Sequence, residues 1–178
     1  MVSTTYGCGV TAIETRAYEP DDYAACRALW VELTEHHRLI YDAPGIGGDD
    51  PGADWDRHLE SPDRIGSWVA VDEDTVIGLA GLQTMGKDEI EVEPIIVSNT
   101  ARGRGIGRQL VERMITECRG RGYDSLSVRS VARNSGALAA WRAMGFTTVG
   151  MVELFMDLHG SGSEWRPGVV IQEVPFDC

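Results

Sequence analysis

Residues 95–107 constrain the fold of this chain more than any other stretch. They read Ile95-Ile96-Val97-Ser98-Asn99-Thr100-Ala101-Arg102-Gly103-Arg104-Gly105-Ile106-Gly107. A short apolar strand runs into a turn, then into Arg-x-x-Gly-x-Gly, then into an amphipathic helix. Glycines let backbone approach a ligand closely, and the N–H groups at a helix start point at an anion. The order therefore builds a cradle for a diphosphate. Arg102, Arg104 and Arg108 add positive charge there, in a chain whose formal net charge is −12.

Two other phosphate-binding turns are excluded by spacing. A nucleotide P-loop needs Gly-x4-Gly-Lys-Ser/Thr, and neither lysine nor hydroxyl stands at the required place. A Rossmann turn needs Gly-x-Gly-x-x-Gly tight against its strand. Here the pattern is Gly103-x-Gly105-x-Gly107, and five residues separate it from Val97.

The rest of the chain reads as one mixed α/β unit. A length of 178 residues fits a single domain with a real core. No apolar run approaches the ~18 residues that span a bilayer, and residues 1–12 lack the pattern of a secretory leader. A cytoplasmic location is the expectation. The acidic balance disfavours nucleic acid and anionic membranes as partners and favours a cationic one. Cys8, Cys26, Cys118 and Cys178 show no metal-like pairing, so reduced structural thiols and no metal site are expected.

Along the chain, residues 12–19 alternate like a strand, and Asp21 or Asp22 is placed to cap a helix carrying Cys26, Leu29, Trp30, Leu33 and His37. Residues 42–56 hold Asp42, Asp49, Asp50, Asp54 and Asp56 among prolines and glycines, which predicts a loop. Trp55 and Leu59 start a short second helix. Ser67–Val71 and Thr75–Thr84 form a hairpin, and a turn at Gly86-Lys87-Asp88 leads into a strand over Glu89–Val97. Pro94 within that strand marks a bulge or an unpaired position. A helix is predicted over 105–120, a strand over 123–132, a helix capped by Asn134, and strands over Phe146–Val152 and Glu153–Leu158. The domain then spans 12–158, after a flexible lead of residues 1–11. The extension 159–178 holds an apolar stretch, Gly168–Val174, suited to an edge strand or a partner contact.

Strand, Arg-x-x-Gly-x-Gly, helix, strand, Asn134, helix and Trp141-x-x-x-Gly145-Phe146 together resemble the GNAT superfamily of acetyl-CoA-dependent N-acetyltransferases. The resemblance is strongest over 89–146. It implies an α/β fold with a mixed, mostly antiparallel sheet, splayed at its fourth and fifth strands, with helices on both faces. It implies acetyl-CoA as acetyl donor, its pyrophosphate held by Arg102, Gly103, Arg104, Gly105, Ile106, Gly107 and Arg108. Ile95, Ile96 and Val97 would offer main-chain groups to the thioester and the pantetheine arm, and Asn134 would contact the cofactor. Homodimers are common in the superfamily, so a homodimer is one option.

Acetyl transfer to an amine needs a base for the ammonium proton and donors for an oxyanion. Glu89, Glu91 and Glu93 alternate toward one strand face. Glu91 lies eleven residues before Arg102, which the resemblance makes the place of the base, with Glu93 in reserve. Many members carry a tyrosine four residues before the Gly-Phe pair, whereas this chain has Trp141, whose indole packs and cannot protonate a thiolate. The resemblance also places His37, Tyr41 and the aspartate-rich loop at the acceptor's mouth. The expected reaction is direct transfer, in a ternary complex, to a small cationic amine such as an aminoglycoside or polyamine. A protein lysine or N-terminus is the alternative acceptor. A non-catalytic acyl-CoA sensor or interaction module is the alternative of another kind.

Overall fold

The computed structural model describes residues 12–86, 89–156, 158 and 167–177. The main sheet has the order β1 (Glu14–Ala17), β2 (Arg64–Asp72), β3 (Thr75–Thr84) and β4 (Ile90–Val97), every pair antiparallel. Helices α1 (Tyr23–Tyr41) and α2 (Ala53–Glu60) cover one face. Helices α3 (Ile106–Gly120) and α4 (Ser135–Ala143) supply the other. Each face buries its own apolar cluster: Cys26, Leu29, Trp30 and Trp55 with Leu79 and Ile96, and Ile106, Leu110 and Met114 with Ala80, Leu82 and Val92. Cys26 and Cys118 are buried free thiols, as their helix faces imply. Cys8 and Cys178 lie outside the described residues.

The first helix begins where expected, but Asp22 does not cap it. Its carboxylate accepts from Arg16 at 2.7 Å and from the Glu19 N–H at 2.9 Å, tying β1 to the helix entry. Asn134 does cap α4, accepting the Ala137 N–H at 3.0 Å. The hairpin before β4 closes through Met85 N–H to Glu89 O at 2.9 Å; Lys87 and Asp88 of its predicted turn lie outside the described residues.

The strand predicted over 123–132 shrinks to one parallel bridge between Glu91 and Ser127. Val92 N–H donates to Ser127 O at 2.9 Å and Ser127 N–H to Ile90 O at 3.0 Å, and there the ladder stops. The outer edge of β4 therefore opens after Val92. Among the described residues, 146–156 form no strand, contrary to the alternating sequence, because no ladder partner faces them. The apolar tail does not add an edge strand to the main sheet. β5 (Pro167–Ile171) and β6 (Val174–Asp177) pair with each other as a separate hairpin instead of extending the main sheet.

Candidate active site

Pro94 does mark a bulge. Val92 pairs with Leu82 and Ile95 with Ala80, so Glu93 and Pro94 together face the single residue Gly81. One extra residue reverses the alternation of a strand. Ile90 and Val92 point to the α3 side, and beyond the bulge Ile95 and Val97 point there, while Ile96 joins the α1 cluster. Gly81 is required at this point. A Cβ there would meet the Glu93 carbonyl oxygen at 2.5 Å, Pro94 Cδ at 3.0 Å and His58 Nε2 at 3.1 Å.

Glu91 is the most buried carboxylate in the core, 1% exposed. Its Oε1 accepts from Arg129 N–H at 2.9 Å and Arg129 Nε at 3.0 Å; Oε2 accepts from Arg129 Nη2 at 2.9 Å. The carboxylate takes over as acceptor where the β4 ladder with 125–129 would have continued. This arrangement occupies Glu91 with holding the two chains where they part. Arg129 was not singled out by the sequence, since nothing local links positions 38 residues apart.

Glu93 is different. It is half-buried at the start of the opened edge, and no hydrogen bond to its carboxylate is found among the described residues. Burial pushes its carboxyl up from 4.5 to about 7; the neighbouring Glu91 charge adds to this and Arg129 opposes it. A carboxylate poised near neutrality in a partly closed site has the properties of a general base.

Behind the bulge lies a polar group that sequence reading missed. His58, on α2, stacks on Trp55 at 5.4 Å between centroids and shares a 3.2 Å hydrogen bond with the Ser67 hydroxyl. Arg64 Nε also donates to that hydroxyl, at 3.1 Å. Burial, with Arg64 nearby, pushes the His58 imidazole down to about 4, so it is neutral. The isolated glycine at 81 was the one available signal, since glycine inside a strand marks a bulge or a close approach.

At the far end of β4, Gly103 and Gly105 have φ of 78° and 81°, in the left-handed region. A Cβ at either would meet nothing within 4 Å. Gln109 N–H to Gly105 O, at 3.1 Å, is the first bond of α3, which leaves the preceding N–H groups directed out of the helix end. This open, glycine-lined helix start fits a diphosphate. The three arginines divide their tasks. Arg104 pairs with Asp72 at 2.7 Å, and Arg108 donates to Ala143 O at 2.9 Å at the end of α4. Arg102 lies toward α1, where burial and then its charge push the His36 imidazole down.

The expected acceptor residues come together in part. The Arg133 guanidinium lies over the Tyr41 ring at 5.4 Å, so the end of α1 meets the segment leading to Asn134. His37 is half-buried and its imidazole is pushed down, chiefly by burial. The aspartate-rich loop is less of a cation trap than its sequence suggests. Arg27 reaches Asp50 at 2.7 Å and Asp56 at 3.6 Å, and Arg57 pairs with Asp54. Arg38 fastens the same loop through Ile46 O at 2.8 Å and Gly48 O at 2.7 Å. Trp141 is 7% exposed and meets Phe146 edge-on at 5.1 Å, a packing role as expected. Among the described residues no cluster of three or more His, Cys, Asp or Glu converges as for a metal, and no helix is long and apolar enough to cross a membrane.

The sequence model of the Acetyltransferase (GNAT) family matches residues 23–146. The N-alpha-acetyltransferase RimI of Mycobacterium tuberculosis is 36% identical over 121 residues, covering 64% of this chain and 73% of that protein. N-acetyltransferase 8 of Rattus norvegicus is 29% identical over 98 residues, 52% of this chain and 43% of the relative. Among solved structures, AAC(6')-Iy in complex with the bisubstrate analog CoA-S-monomethyl-acetylneamine superposes with a TM-score of 0.61 at 20% identity. That match covers 83% of this chain and 99% of the other. At that identity the likeness speaks to the fold.

Proposed function

The chain belongs to the GNAT acetyltransferase family and is an acetyl-CoA-dependent N-acetyltransferase, and from that premise we propose that its acceptor is the α-amine of a polypeptide N-terminus and that Glu93 is the general base. The carrying observation is the Glu93 carboxyl, pushed up to about 7 at the opened edge of β4. An α-ammonium ionises at about 7.7–8.0 and a lysine ammonium at about 10.4. Proton transfer to Glu93 is nearly level from the first and steeply uphill from the second. The similarity to a protein named as an N-alpha-acetyltransferase supports the same acceptor. Pairing of Asp50, Asp54 and Asp56 with arginines weakens the case for a small polycation.

Acetyl-CoA supplies an activated thioester carbonyl. The glycine-lined start of α3 holds the diphosphate through N–H groups from Arg104 to Arg108, with Arg102 beside it. Asn134 keeps its side-chain nitrogen available after its oxygen caps α4. Glu93 takes one proton from the acceptor ammonium; as the N–C bond replaces the C–S bond, the second nitrogen proton passes to the sulfur, so that the leaving group is the neutral thiol. Main-chain N–H groups of Ile95 or Ile96 meet the oxyanion. Transfer is direct, in a ternary complex. Glu91 serves as the buried anchor of Arg129 and not as the base, which reverses the order expected from its distance to Arg102.

The test is release of free CoA over an acceptor panel at pH 7.5. Short peptides with free N-termini should react, while the same peptides with a blocked N-terminus and an internal lysine should not. Turnover confined to polyamines or aminoglycosides would reject the peptide acceptor and restore the small cationic one.

A further inference from the structure

We propose that Glu32 is a positioning residue, a carboxylate on helix α1 that latches the diphosphate-binding turn in place. Asn99–Ala101 forms a single 3-10 turn between β4 and the Arg-Gly segment. Such a turn usually takes its cap from the side chain of the residue before it. Here that residue, Ser98, makes no side-chain cap bond. The cap comes from another element: Glu32 Oε2 accepts the Asn99 N–H at 2.8 Å, and Oε1 accepts the Ser98 hydroxyl at 3.2 Å. The two contacts span 67 and 66 residues of chain. Hydrogen bonds to an ionised acceptor are about twice as strong as neutral ones.

The consequence is geometric. The turn is held from inside by Ala101, 2% exposed, and from outside by Glu32. Directly after it come Arg102, Gly103 and Gly105. One helical turn beyond Glu32 on α1 is His36, the imidazole that senses Arg102. The same helix ends at Tyr41, under the Arg133 guanidinium. One side chain therefore couples the helix bordering the acceptor mouth to the segment that receives the diphosphate. The inference rests on the reading that residues 102–108 hold that diphosphate.

Calorimetric titration with CoA of the whole protein tests it, using the wild type, Glu32→Ala and Glu32→Gln. Glu32→Ala should weaken CoA binding about tenfold. Glu32→Gln, whose amide oxygen still accepts the Asn99 N–H, should return affinity to within about threefold of wild type. Hydrogen exchange provides a readout independent of CoA: the amides of 99–105 should exchange faster in Glu32→Ala alone. Equal CoA affinity in Glu32→Ala and wild type, or loss in both variants alike, overturns the latch. Failure of the wild type to bind CoA, with exchange still faster in Glu32→Ala, overturns the diphosphate reading and this positioning role with it.

Discussion

Arg129 embraces Glu91 so completely that both carboxylate oxygens are occupied, by the arginine's backbone N–H, Nε and Nη2 at 2.9–3.0 Å. The pair is lopsided, with the Glu91 side chain 2% exposed and that of Arg129 65% exposed. Deleting the exposed member strands the buried charge. Arg129→Ala should therefore destabilise by roughly 2–3 kcal/mol, read from the denaturant midpoint. Glu91→Gln should keep most of the turnover per folded molecule. A hundredfold loss in Glu91→Gln with unchanged stability would return Glu91 to the role of base.

Glu93→Gln removes the proposed base directly. Turnover at pH 7.5 should fall by about 10²-fold or more, with CoA affinity nearly intact. In the wild type, rate should be lost as pH falls through about 7, because the carboxyl protonates there. Glu93→Gln should lack that acid limb. The measurement is the pH profile of kcat.

The half-buried Glu93 and the buried His58 give folding stability opposite pH slopes in one window. Glu93 ionises at about 7 in the folded protein against 4.5 ordinarily, so its contribution is lost as pH rises from about 4.5 to about 7. His58 is held at about 4 against 6.5, so its contribution is lost as pH falls from about 6.5 to about 4. The wild-type melting temperature should change little across the overlap. Relative to it, Glu93→Gln should gain stability at pH 8 over pH 5. Relative to wild type, His58→Gln should gain stability at pH 5 over pH 8, by on the order of 2 kcal/mol.

Gly81→Ala adds one methyl at the bulge, where it meets the Glu93 carbonyl oxygen at 2.5 Å. Backbone cannot move aside as a side-chain tip can. Stability should fall by about 2 kcal/mol or more, and turnover should fall in the molecules that do fold. Chemical denaturation with activity normalised to folded protein checks both.

Gly105→Ala puts a Cβ into the open cradle at a residue with φ of 81°. The backbone cost is about 1 kcal/mol. CoA binding should weaken by at least tenfold, since the methyl occupies space that the diphosphate needs. Titration calorimetry separates the two effects.

What the sequence made legible was local. The left-handed glycine turn, the Asn134 cap and the Pro94 bulge each depend on residues within a few positions of one another, and each forms where expected. Helix α1 announced itself through Cys26, Leu29, Trp30 and Leu33 at helical spacing. The parallel partner of β4 did not, because its pairing at Ser127 depends on where two distant chains part, and alternation over 123–132 carries no such information. The same limit applies to function. Spacing from Arg102 singled out Glu91, but its pairing with Arg129, 38 residues away, left no mark in the local sequence. The aspartates of the loop could be counted, but the pairing of Asp50 and Asp56 with Arg27 of α1 could not be assigned.

The bulge at Glu93–Pro94 makes β4 two short strands of opposite polarity joined back to back. Removing Pro94 alone would restore unbroken alternation and improve the segment as a strand. Ile95, Ile96 and Val97 would stay on the faces they now occupy, and only the doubled position opposite Gly81 would be lost. The irregularity sets a length rule for this chain: the one spare residue of β4 sits at the bulge, and a single insertion or deletion beyond it exchanges the faces of the residues that lead to the glycine turn.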